Sequence, residues 1–140
     1  MILFCDTSAL LKLYITETGS EAVKAKLEDA EAVAVCRIAW AEVHSALSRR
    51  VREMPEDAEL IEQAKNAIAQ DWPSFVVLEV SQILVERAGN YADTFALRGY
   101  DSVQLAAAFE AGRVAESPIC FACFDLRLNK AAAILGMSCL

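Results

Sequence analysis

Four short runs of unbroken apolar residues constrain the fold of this 140-residue chain most: 2–5, 32–36, 75–78 and 119–124. None alternates with polar residues, so each reads as a strand buried on both faces, the signature of a parallel sheet. Helical patterns fill the gaps. The spacing predicts helices over 9–15, 21–29, 39–53, 56–69, 82 onward, 91–97, 102–111 and 126–135. Gly89-Asn90 is expected to break the helix that begins at Gln82, and Met137 to Leu140 to add a terminal strand. Strand–helix alternation of this kind implies a sheet covered by helices on both faces, joined by right-handed crossovers.

Local signals refine this pattern. Thr7 and Ser8 read as caps of the first helix, Ser20 of the second and Ser81 of the one starting at Gln82. Asp101 reads as the cap of 102–111, a helix so apolar that it belongs in the middle of the domain. Inward stripes are expected from Val23 and Leu27, from Trp40, Val43 and Leu47, and from Leu60, Ala64 and Ala67.

Bulk properties exclude several classes. At 56% hydrophobic residues, disorder is ruled out. Charges interrupt every apolar stretch before the ~18 residues of a membrane span. No basic segment leads the chain and Asp6 ends its first apolar run, so a cytoplasmic single domain over 1–140 is expected. A net charge of −7 disfavours non-specific nucleic-acid binding but suits a site that gathers carboxylates for a hard cation. The five cysteines lie in or beside apolar runs and read as small core residues. Cys120 and Cys123 would point to opposite faces of a strand, which weakens a redox or zinc reading of that pair. His44, the single histidine, is expected to pack rather than react.

Four acids fall where a parallel sheet places ligands. Asp6 and Asp125 each end a strand, Asp101 opens the buried helix, and Glu42 sits between Trp40 and Val43 near the start of another. Each of the aspartates could serve only as a helix cap; Glu42, with its apolar neighbours, is not explained that way. Converging carboxylates repel one another unless a cation is present, and an all-oxygen set suits Mg²⁺ or Mn²⁺. Hydrolysis of a phosphodiester is the chemistry such a site supports.

The segments Phe4-Cys5-Asp6-Thr7-Ser8-Ala9-Leu10, Ala41-Glu42-Val43-His44-Ser45-Ala46-Leu47, Leu97 to Ala106 and Cys123-Phe124-Asp125-Leu126-Arg127-Leu128-Asn129 resemble, in this order, the PIN-domain ribonucleases of the VapC toxin type. The resemblance implies a three-layer α/β/α sandwich with a central five-stranded parallel sheet. It implies Mg²⁺-dependent RNA cleavage, with Asp6 and Asp101 as main metal ligands and Glu42 and Asp125 completing the cluster. It gives Thr7 or Ser8 a hydrogen bond to a water on the metal or to substrate phosphate, and it implies a small antitoxin partner and a homodimer. Gln104 departs from the pattern, where many relatives carry His; lying on the helix beyond Asp101, it is expected to leave the acid cluster unaffected.

Basic residues that could hold RNA are Arg49, Arg50 and Arg52 on the Glu42 helix, and Arg127 and Lys130 beside Asp125. A solvated helix face explains the arginine run equally well. Rival readings are a Mg²⁺-dependent phosphotransfer or receiver-type α/β domain and a catalytically inactive PIN-like interaction domain. A phosphatase of the haloacid-dehalogenase type would want an acid at position 8, which is Ser. A receiver would want an acidic neighbour beside Asp6. P-loop and dinucleotide fingerprints are absent.

Overall fold

Five parallel strands form one sheet in the order β3-β2-β1-β4-β5, and the computed structural model describes all of residues 1–140. The strands are β1 (Ile2–Cys5), β2 (Ala32–Cys36), β3 (Val76–Leu78), β4 (Ile119–Ala122) and β5 (Ser138–Cys139). The helices are α1 (Thr7–Tyr14), α2 (Ser20–Asp29), α3 (Ala39–Glu53), α4 (Ala58–Asp71), α5 (Gln82–Phe95), α6 (Gly99–Ala115) and α7 (Leu126–Ile134). Phe4 on β1 pairs in register with Ala34 on one side and Phe121 on the other, and the rings of Phe4 and Phe121 stack at 5.8 Å.

Successive strand residues serve two separate cores, as the pleat requires. Ile2, Phe4, Ala34, Cys36 and Phe121 pack with α5, α6 and α7, whereas Leu3, Cys5, Val33, Val35 and Cys120 pack with α1, α3 and α4. The result is the expected three-layer α/β/α sandwich. All five cysteines are free, and Cys120 and Cys123 face opposite cores. His44 packs against Trp40 at 4.8 Å between ring centroids, and its Nε2 is buried without a partner. No helix is long and apolar enough to cross a membrane.

Several local expectations are corrected. Asp6, not Thr7 or Ser8, caps α1, accepting from the Ala9 N–H at 2.8 Å. Ser20 begins α2 instead of capping it, because its hydroxyl is held by the Ile15 carbonyl and the Glu17 N–H. Residue 19 is the cap, and it must be glycine: its φ is +93°, and a Cβ there would stand 2.7 Å from the Phe124 ring. On α4 the inward stripe is Ile61, Ala64 and Ile68, leaving Leu60 exposed; the branched isoleucines take the core. Val23 of α2 is buried while Leu27 is exposed, and Trp40 is exposed as well, with one edge against Trp72. Helix α5 runs through Gly89-Asn90 unbroken, since Leu84, Ala88, Tyr91 and Phe95 present one continuous face to the core. That packing outweighs the ~1 kcal/mol that a mid-helix glycine costs.

Candidate active site

The topology explains why distant acids meet. In a parallel sheet the helix that follows a strand starts at the carboxyl edge, as α1 and α3 do, and a helix that runs back to the start of the next strand, as α6 runs to β4, starts there too. Asp6 leaves β1 into α1, Glu42 lies in the first turn of α3, and Asp101 lies in the first turn of α6. Strand order reverses between β1 and β4, so Asp6 stands at the switch point where such sheets bind ligands.

Asp6, Glu42 and Asp101 line one cleft of about 890 Å³, together with Thr7, Ser8, Ser45, Arg49, Arg98, Tyr100 and Gln104. Asp6 is buried, and its Oδ1 accepts both the Ala9 N–H and the Ser8 hydroxyl, the latter at 2.7 Å. Burial pushes its carboxyl up to about 6; the charges of Asp101 and Glu42 add to that push, and the two hydrogen bonds oppose it. Asp101 is raised as well, first by burial and then by Asp125, with Arg98 opposing.

Asp101 was expected to cap its helix, and it does not. Helix α6 starts two residues earlier, at Gly99, and Arg98 occupies the cap position without a side-chain bond. The Asp101 carboxylate is therefore free to face the cleft. Asp125 behaves differently. It is exposed, it caps α7 by accepting the Leu128 N–H at 2.8 Å, and it stands at the rim, felt by Asp101 but outside the lining of the cleft. No three His, Cys, Asp or Glu side chains stand close enough to share one metal ion directly.

The hydroxyls expected to reach outward are turned onto the acids: Ser8 donates to Asp6, and Thr7 donates to Glu42 Oε1 at 2.9 Å. Of the basic residues read from sequence, Arg49 lines the cleft. Arg50 does not; it pairs with Asp57 at 3.3 Å and Glu17 at 3.9 Å. Arg52 donates to Ser48, Arg127 donates to the Ala96 carbonyl, and Lys130 is exposed outside the cleft. Sequence reasoning missed Arg98 and Tyr100. The signal was available, because both fall within the three residues before Asp101. The expectation for Gln104 was also wrong: three residues past Asp101 is the same helix face, and its amide donates to Glu42 Oε1 at 3.0 Å.

Residues 3–133 match the PIN domain family. The chain belongs to that family. Two curated relatives from Mycobacterium tuberculosis, Ribonuclease VapC45 (strain CDC 1551 / Oshkosh) and Ribonuclease VapC49 (strain ATCC 25618 / H37Rv), are each 32% identical over 139 residues, covering 96% of this PIN domain and 92% of the relative. Among solved structures, FitAB bound to a DNA fragment superposes with a TM-score of 0.67 at 19% identity, covering 100% of this chain and 94% of that one. VapBC2 from Rickettsia felis, also bound to DNA, gives 0.67 at 10% identity, covering 100% and 98%. A toxin–antitoxin complex from Klebsiella pneumoniae gives 0.63 at 18%, covering 92% and 90%. At these identities the structures share the fold with this PIN domain.

Proposed function

We propose that this PIN domain is the ribonuclease toxin of a toxin–antitoxin pair and that it hydrolyses RNA phosphodiesters in the cleft between α1, α3 and α6. One observation carries the reading: three acids from three separate helix starts line a single cleft, and burial together with neighbouring carboxylates raises the proton affinity of Asp6 and Asp101. A fold does not gather like charges in a low-dielectric cleft for stability. The similarity to two Mycobacterium tuberculosis ribonucleases supports the activity, and the shared fold with a toxin–antitoxin complex from Klebsiella pneumoniae supports the antitoxin partner.

The donors fit a hard divalent cation, Mg²⁺ or Mn²⁺, because the cleft offers oxygens and neither sulfur nor imidazole. Since no three side chains can share an ion directly, the fit is to one that keeps several waters and takes one or two carboxylates. Asp6 and Asp101 would hold it, with Glu42 and Asp125 acting through waters. Such a cation, when bound, supplies Lewis-acid activation of water and offsets the charge developing on phosphate.

The chain's own residues position the RNA. Arg49 and Arg98 offer the cleft two guanidinium groups for RNA phosphates. Tyr100, 64% exposed in the same cleft, offers a face on which an unpaired base can stack. This favours single-stranded or looped RNA over duplex. A homodimer in the cytoplasm completes the reading; exposed Ile83 and Val114 line one groove beside β3, a surface of the kind that interfaces cover. The test is cleavage of single-stranded RNA by the purified protein with Mg²⁺ and with EDTA. Cleavage that persists in EDTA would refute the cation-dependent mechanism.

A further inference from the structure

We infer that Gln104 is a positioning residue that holds Glu42 with one oxygen pinned and the other turned free. The inference deepens the nuclease reading and rests on it. Gln104 is 3% exposed, one of the few polar residues in the core, and it lies on α6 among Leu105, Ala106, Ala107 and Ala108. A buried amide in such surroundings is costly unless its bonds are made.

Its bonds are made on one side only. The Nε2 donates to Glu42 Oε1 at 3.0 Å and lies 3.4 Å from Thr7 Oγ1 as a second acceptor. The Thr7 hydroxyl donates to the same Glu42 Oε1 at 2.9 Å. Glu42 on α3 is thus tied to α1 and α6 through a single oxygen, and its Oε2 receives no hydrogen bond from the protein. A carboxylate only accepts, so the amide must present its nitrogen to Glu42. That orientation strands the Gln104 Oε1, which is buried with no partner.

An orphaned buried acceptor has an explanation where it keeps a functional group aimed. Methionine would fill the same space without the orphan, so stability alone does not account for glutamine here. Outer residues that orient ligating side chains typically matter 10- to 100-fold for metal affinity or activity.

The test is a double-mutant cycle between Gln104→Met and Glu42→Gln, read by steady-state RNA cleavage with Mg²⁺ and by thermal melts in EDTA. Gln104→Met is expected to melt at or above the wild-type temperature in EDTA, since the orphan is gone. Its kcat should fall about 10- to 100-fold with KM for RNA unchanged. In the Glu42→Gln background the same substitution should add nothing. An active wild type with Gln104→Met equally fast would overturn the inference and leave the nuclease reading intact, as would a loss that multiplies with that of Glu42→Gln. Melting of Gln104→Met well below wild type would assign Gln104 to stability instead. A wild type that cuts no RNA overturns both.

Discussion

Asp6 is buried at the end of β1, and Asp101, from the start of α6, raises its proton affinity across the cleft they share. Burial is the larger cause, and together they push the Asp6 carboxyl from 3.8 to about 6. Between those values the folded protein keeps a proton that the unfolded chain has released. Folding stability therefore falls as pH rises from about 4 to 6, and stays lowered at neutral pH.

Asp6→Asn removes that penalty while keeping an oxygen that can cap α1 for Ala9 and Ser8. At pH 7 in EDTA the gain is on the order of 3 kcal/mol, a rise of roughly 5 °C or more in melting temperature. Thermal melts check it. A variant that melts with wild type would mean that Asp6 carries no strain and is only a cap.

A cation that binds ionised Asp6 competes with the proton held there. Mg²⁺ should therefore raise the melting temperature more at pH 7.5 than at pH 5, and should raise that of Asp6→Asn little at either. Equal shifts at both pH values would remove Asp6 from the cation site.

Tyr100→Ala should raise KM for single-stranded RNA about 5- to 150-fold, from ~1–3 kcal/mol of lost stacking, and Tyr100→Phe should restore it. Arg49→Ala should weaken RNA binding and flatten its salt dependence. Arg50→Ala should leave cleavage alone, because Arg50 is committed to Asp57 and Glu17. Steady-state cleavage, with fluorescence titration of a labelled RNA at two salt concentrations, separates the three.

The partner should inhibit by setting an arginine or another basic group near Asp6 and Asp101, where carboxylates offer charge-assisted bonds. A structure of the complex with the cleft open and the partner bound only elsewhere would contradict this.

The fold was legible because the strands are apolar on both faces, which only a covered parallel sheet explains. Parallel strands in turn put Asp6, Glu42 and Asp101 at one edge without any knowledge of side-chain contacts. Where the reading failed, the cause was tertiary. Asp101 has the composition of a cap, but α6 begins at Gly99 and leaves it free. Gly89 reads as a breaker until the core-facing row of α5 is seen to run through it. Gln104 reads as clear of the acids because its partners, Thr7 and Glu42, lie 97 and 62 residues away. Asp125 was half legible: it follows β4 as expected, yet it caps α7 at the rim.

The most direct measurement is binding and cleavage of one single-stranded RNA by Asp101→Asn beside wild type, with Mg²⁺ present. Asp101 lines the cleft, caps nothing and accepts no hydrogen bond from the protein, so the substitution leaves the fold intact. The account predicts that Asp101→Asn melts no lower than wild type in EDTA, binds the RNA as well or better, and loses most of the cleavage rate. A variant that binds and cuts at the wild-type rate would show that these acids do not form the active site.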